Sequence, residues 1–264
     1  MATITSLSVN QGKAGDSLTI NGTGFGTSAV TVNFGSKAVA ATGATTTVTT
    51  TVPSGCAGQT NVSVTVGTST SNSKPFFYIA TPMCSAVVAN AGPLTPPAVN
   101  LTGTGFATAT AVTFGVAGAG TINSRTGDTL LNATPPTNTT GFTTTTQSVD
   151  VTVTSPGGTS IPAGAASQFT YYNLPTVTGV SPTDGSAGQS GVTVSGTDLV
   201  DVSDVIFTDT VTAAVFHATD ITGLSAMEVQ VTTPTGLVTA SSYDITVTTP
   251  GGTSTTSATF GPVT

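Results

Sequence analysis

The segment Val149-Asp150-Val151-Thr152-Val153-Thr154-Ser155-Pro156-Gly157-Gly158-Thr159-Ser160 returns further along the chain as Tyr243-Asp244-Ile245-Thr246-Val247-Thr248-Thr249-Pro250-Gly251-Gly252-Thr253-Ser254. A looser copy, Asn61-Val62-Ser63-Val64-Thr65-Val66-Gly67-Thr68-Ser69-Thr70-Ser71, precedes both. A unit that recurs at roughly 90 residues marks a repeated architecture and constrains the fold before any other feature does. Within each copy Val or Ile alternates with Thr, Ser or Asp at period two, so one face meets a core and the other meets water. In the two closer copies Pro-Gly-Gly fixes one φ and then supplies residues free to take positive φ, which lets the chain reverse. Each copy reads as a strand, a tight turn and a second strand. The return strands carry the aromatics: Phe76-Phe77-Tyr78, Phe169-Thr170-Tyr171-Tyr172 and Phe260.

At about 100–150 residues per domain, 264 residues allow two domains, or three if they are small β-sandwiches. The repeat decides for three, with expected bounds 1–80, 81–173 and 174–264. Charged residues are only 6% of the chain, against 37% hydrophobic, and many of the rest are Thr, Ser and Gly. Few charges with many β-branched residues favour strands over helices, and no segment has the apolar spacing of an amphipathic helix. Regular alternation of Val, Ile and Phe argues against disorder.

The first domain reads as strand Ile4–Val9, then Ser17-Leu18-Thr19-Ile20-Asn21-Gly22-Thr23-Gly24-Phe25, Val30-Thr31-Val32-Asn33-Phe34-Gly35, a Thr-rich strand about Thr45–Val52 ending in Pro53-Ser54-Gly55, and the hairpin. The second repeats the order with Leu101-Thr102-Gly103-Thr104-Gly105-Phe106, Val112-Thr113-Phe114-Gly115 and Leu130–Ala133 before Pro135-Pro136. The third gives Val194-Ser195-Gly196-Thr197-Asp198-Leu199, Asp204-Val205-Ile206-Phe207 and Glu228–Thr232. Short strands with turn signals every ~8–12 residues make a β-sandwich. This succession resembles the IPT/TIG family of immunoglobulin-like domains, in three copies covering practically the whole chain. Ser181-Pro182-Thr183-Asp184-Gly185 is similar to the family's Ser-Pro-x-x-Gly turn, from which the first two copies depart, and Asp198-Leu199 replaces the Gly-Phe pair in the third. The resemblance implies an all-β fold, three tandem immunoglobulin-like β-sandwich domains in an elongated array. It implies no catalysis: such domains serve cell-surface receptors, transcription-factor dimers, carbohydrate-active enzymes as spacers, and bacterial and phage surfaces.

Up to Ile79 the charges are Lys13, Lys37, Lys74 and Asp16, whereas from Pro175 onward there are eight acids and no Lys or Arg. With four basic residues in all, no patch exists to neutralise a phosphate backbone, which excludes nucleic-acid binding. The asymmetry suits a solvated acidic surface, cation binding, or head-to-tail contact with the mildly basic first domain of another copy. No apolar run of ~18 residues spans a membrane. Met1-Ala2-Thr3-Ile4 leads into a strand without the n-region and h-region of a secretory signal, so a signal already removed, export by another route, or assembly into a particle is expected.

Candidate chemistry is sparse. The single histidine, His217, alternates with apolar neighbours, and no Gly-x-Ser-x-Gly elbow accompanies it. A hydrolase site there competes with a plain solvent-facing residue. Asp198, Asp201 and Asp204 are candidate Ca²⁺ ligands beside a turn, although their spacing is not that of a calcium loop; the alternative is acids that keep a sheet edge soluble. No other cofactor is indicated. In an immunoglobulin-like sandwich, Cys56 falls in a turn at the pole facing the next domain, and Cys84 begins a strand leaving that pole. A Cys56–Cys84 disulfide stapling the junction is expected, against two unpaired thiols. Short linkers ending in Pro82 and Pro175 stiffen the array. Recognition is expected at pole loops, among them Gly67, Ser69, Ser71, Pro156, Gly157, Gly158, Pro250, Gly251 and Gly252, or along strand edges. The expected function is a non-enzymatic spacer, decoration or adhesin on a bacterial exterior or virus particle, with a protein or glycan surface partner. The alternative is an accessory carbohydrate-binding module of a secreted polysaccharide-degrading system.

Overall fold

A computed structural model describes residues 1–139, 142 and 144–264. Among these the chain is almost entirely β, with two short 3-10 turns at Gly115–Ala117 and Gly164–Ser167. Its buried residues fall into three clusters with no member in common.

In the first sandwich, strands Thr3–Leu7, Ser17–Thr23 and Thr47–Thr51 form one sheet. The facing sheet runs Gln11–Gly12, Lys74–Tyr78, Gly58–Val66, Ala29–Phe34 and Lys37–Thr42, with Ser69–Thr70 folded back on Gly58–Val66. The alternation read from sequence holds: Leu18, Ile20, Val32, Val62 and Val64 point inward and are fully buried. The second sandwich follows the same order, except that strand Gly118–Thr126 pairs with both Ala111–Phe114 and Leu130–Thr134 and so joins its two sheets. In the third, Val215–His217 and Thr219–Ser225 divide that task between the sheets, the first on Asp204–Asp209 and the second on Glu228–Thr232.

Each core contains a corresponding edge-to-face ring pair: Phe34–Phe76 at 5.7 Å, Phe114–Phe169 at 5.9 Å and Phe207–Phe260 at 5.8 Å. Such pairs add about 0.5–1.5 kcal/mol beyond the area they bury. The Gly-Thr-Gly-Phe motif has an equally repetitive cause. A Cβ on Gly22, Gly103 or Gly196 would lie 2.0, 1.9 or 1.8 Å from the carbonyl oxygen of Thr3, Met83 or Thr176. The first strand of each sandwich shifts register at that point, so the glycine admits a β-bulge. Two residues on, Gly24, Gly105 and Asp198 all take a left-handed backbone, with φ of 74°, 78° and 57°. Aspartate tolerates that region better than most side chains, so the third copy keeps the turn without its glycine. Among the described residues the third sandwich alone has a tyrosine corner, in which the Tyr243 hydroxyl accepts a hydrogen bond from Val238 N at 2.8 Å.

The accessible surface is 12150 Å². A single compact monomer of 25.7 kDa would expose about 10,400 Å², and three separate bodies of a third that mass about 14,000 Å². The observed value suits three small cores that touch at their junctions.

Candidate functional site

The repeated hairpins carry a repeated hydrogen-bond set. Ser71, Ser160 and Ser254 accept from Val64 N, Val153 N and Val247 N at 3.0, 2.9 and 3.1 Å. Cross-strand hydroxyl pairs Thr65–Thr70, Thr154–Thr159 and Thr248–Thr253 lie at 2.9, 2.9 and 2.8 Å. The valine, threonine and serine that recur in sequence thus hold the turn in one shape.

That shape meets the linkers. Gly157 sits on the first linker, where a Cβ would be 1.9 Å from Ala80 O, and Thr81 Oγ1 donates to Gly157 O at 3.2 Å. Gly251 sits the same way on the second, with a Cβ position 2.0 Å from Asn173 O and Leu174 against Gly252. The Pro156–Gly158 and Pro250–Gly252 turns are therefore seated on the chain entering their own sandwiches rather than free at a pole. In the first sandwich the matching hairpin has Thr68 in place of that glycine, and a Cβ on Gly67 would meet nothing within 4 Å. Ser69 is exposed there, while Ser71 is committed to the hairpin.

The second junction also uses two of the three acids read as calcium ligands. Asn173 Nδ2 donates to Asp198 Oδ1 at 3.1 Å, and the Tyr172 hydroxyl donates to Asp201 Oδ2 at 2.6 Å. Burial, reinforced by the Asp201 carboxylate, pushes the Tyr172 phenol up to about 12. Asp204 turns elsewhere and meets His217 Nδ1 at 2.7 Å. Left-handed backbones at Asp198 and Asp201 aim those carboxylates at the linker, so the structure does not bring the three acids expected to hold Ca²⁺ together. No group of three or more His, Cys, Asp or Glu side chains comes together among the described residues. The His217–Asp204 pair lies open to solvent, with 62% and 30% of the two side chains exposed. No serine or threonine hydroxyl is bonded to His217 among the described residues, so the nucleophile of a hydrolase site has no counterpart there.

The structure does not join Cys56 to Cys84, the pair expected to staple the junction. Both cysteines are free, Cys56 exposed and Cys84 buried. Cys84 is the second residue of strand Met83–Val88, and alternation turns it into the second core, where its thiol lies 3.9 Å from Ala86 O. Burial pushes that thiol up to about 11.

Beside the first junction lies a cleft of about 610 Å³, whose walls include Leu7, Val9, Gln11, Asp16, Ile79 and Pro156. Lys13 Nζ lies 2.7 Å from Asp16 Oδ1, and this contact holds the Asp16 carboxyl below its usual range. Both side chains are substantially exposed, so the pair contributes little stability. The cleft holds no aromatic wall. Among the described aromatic residues only Phe77 is exposed, at 42%; the others are buried or half-buried. No helix among the described residues is long and apolar enough to cross a membrane.

Residues 2–78 match the family model described as IPT/TIG domain. A search of curated protein sequences gives no match. Among solved structures, one described as a crystal structure with xylogluco-oligosaccharide is 18% identical, over 99% of this chain and 60% of that one, with a TM-score of 0.43. The plexin A4 extracellular region is 17% identical over 89% of this chain and 21% of its own, at a TM-score of 0.39. The I9–I11 tandem from titin is 11% identical over 96% of this chain and 95% of its own, at 0.31. This chain thus spans 60% of the first of these structures. The match to the IPT/TIG domain model thus coincides with the first of the three β-sandwiches.

Proposed function

We propose that the chain is a non-enzymatic rod of three IPT/TIG-like sandwiches, 1–80, 81–173 and 174–264, displayed on a bacterial exterior or a virus particle as a spacer, decoration or adhesin. The observation that supports this reading is the joint made twice: a hairpin glycine pressed on a linker carbonyl at Gly157–Ala80 and again at Gly251–Asn173. A joint with no room for a methyl group resists bending, whereas an enzyme tether gains from long Gly/Ser connectors. Partners would be a protein or glycan surface, or other copies of the chain. In the latter case the three lysines of the first sandwich could face the acids of the third. Immunogold labelling of intact source cells and particles tests the placement: label on the outer surface supports it, and label confined to the cytosol refutes it. The sugar-binding alternative would have to work with Phe77 as its exposed ring, and firm retention on insoluble polysaccharide would favour it over the spacer reading.

A further inference from the structure

One flank of the first sandwich is built differently from that of the other two. In the second, strand Gly118–Thr126 pairs with a strand of each sheet, and in the third Val215–His217 and Thr219–Ser225 do so between them. In the first, Lys37–Thr42 pairs only with Ala29–Phe34 and Thr47–Thr51 only with Ser17–Thr23, the two flank strands being linked by a single bridge from Gly43 to Val48. Exposed strand edges invite other strands, and proteins blunt them with bulges, prolines or charges. Away from this flank, the edge strands of five residues or more, Thr3–Leu7, Met83–Val88, Thr176–Ser181 and Thr219–Ser225, each shift register along their length. Lys37–Thr42 keeps an unbroken register with Ala29–Phe34 and has no proline. Its one charge, the Lys37 ammonium, is drawn back onto its own sandwich, where it donates to the Ser54 carbonyl, and to Ser54 Oγ at 3.1 Å.

The Gly43 N–H donates to Ser28 O at 3.1 Å, next to the Thr42–Ala29 pair. Antiparallel alternation then turns the N–H and C=O of Ala41, Val39 and Lys37 toward Ala29–Phe34. Those of Thr42, Ala40 and Ala38 point outward, where no backbone partner meets them among the described residues. Ala38 and Ala40 are exposed, while Val39 and Ala41 are half-buried against the first core. The neighbouring edge, Thr47–Thr51, offers less, because Thr47 is bonded to Ala44 within the turn between the two strands.

We propose that a second copy of the chain pairs with this edge, Lys37–Thr42 against Lys37–Thr42, antiparallel about a two-fold axis that brings the two Ala40 residues face to face. That register sets Ala38 against the partner's Thr42, so the outward N–H and C=O groups of the two edges exchange hydrogen bonds. Lys37 falls opposite the partner's Gly43 and far from the partner's lysine, and alanine at the centre leaves room for the approach. The two-fold turns the rods in opposite directions, so the acids that each chain carries from Pro175 onward lie at opposite ends and do not oppose pairing. One strand pair buries less than the roughly 1,200 Å² of a lasting complex, so the dimer forms reversibly with concentration. This contact is independent of where the chain is displayed and, unlike a lysine–acid contact between copies, needs no charge.

Sedimentation velocity of the full chain from micromolar to millimolar concentration, in low and in half-molar salt, tests the pairing. The sedimentation coefficient should rise to that of a dimer in both, because backbone hydrogen bonds carry the contact. Ala40→Pro removes an outward N–H that the sandwich itself does not use, and Ala40→Lys sets two ammonium groups face to face only in the dimer. Each should raise the dissociation constant at least about tenfold while the dilute chain keeps its wild-type melting midpoint. In a Cys56→Ser background, Ala40→Cys should form a disulfide-linked dimer in air, since facing residues of such a strand pair have Cα atoms about 5.5 Å apart, whereas Thr42→Cys should not. A chain that stays monomeric throughout would overturn the proposal, including one whose edge accepts a foreign strand instead. A dimer that dissociates in the higher salt, or that keeps wild-type affinity in Ala40→Lys, would overturn it too, since charge or another face would then hold the copies together.

Discussion

Replacing Gly157 with alanine puts one methyl group where the structure has none to spare. The added Cβ would stand 1.9 Å from Ala80 O and 2.6 Å from Ala80 C, against an ordinary contact of 3.4 Å or more, so hairpin and linker must part by about 1.5 Å. No positive φ is involved at Gly157, and the close approach is the whole effect. If the contacts stay closed, overpacking of this kind costs about 1–3 kcal/mol. For a body of about 90 residues that lowers the melting temperature of the second sandwich by roughly 4–20 °C. If the joint opens instead, the sandwich keeps its midpoint and the chain bends, which broadens the distance distribution in small-angle scattering. Gly179→Ala is the control, because it has ordinary φ and meets nothing within 4 Å. Calorimetry and scattering curves for Gly157→Ala that both overlay those of Gly179→Ala would refute the seated-glycine joint.

Gly103→Ala should be more damaging than Gly157→Ala, because Met83 O belongs to the paired first strand and cannot swing away; a cost of about 3 kcal/mol or more is expected in urea unfolding. At the second junction, Tyr172→Phe should cost about 1 kcal/mol. The folded pKa of Tyr172 is raised to about 12, so its contribution is complete below the unfolded value near 10 and fades as pH rises through about 12. The Tyr172→Phe difference should shrink over that window. Thiol titration of the native chain should find one fast cysteine, Cys56, and a second that reacts only on unfolding, Cys84; a native protein with no titratable thiol would restore the disulfide. His217→Ala should shift stability by no more than about 0.5 kcal/mol, since its ion pair lies in solvent.

The elements legible in the sequence are those that alternate strongly. Leu18-Thr19-Ile20, Val62-Ser63-Val64 and Ile245-Thr246-Val247 announce both strand and inward face, and all of their apolar members are fully buried. Lys37–Thr42, Gly118–Thr126 and Thr219–Ser225 bury no side chain fully, so their sequences carry little period-two signal, yet they flank or join the sheets. The candidate site was harder to read because its contacts join distant positions. Nothing in Asp198-Leu199-Val200-Asp201 points to Tyr172 and Asn173, and local carboxylate density resembled a metal loop instead. Cys84 looked like a pole residue because the strand's first turn inward comes one residue after Met83. Pro-Gly-Gly was correctly a turn, but strand direction decides which pole a turn occupies, and that set it against the linker.

Small-angle scattering of the full chain in dilute solution bears most directly on the tandem architecture. Three touching bodies of about 88 residues in a line have a radius of gyration of about 28 Å, whereas one compact core of 264 residues has about 18 Å. The structure described here predicts a value at or above the larger figure and a long tail in the distance distribution; a compact particle near the smaller one would contradict it.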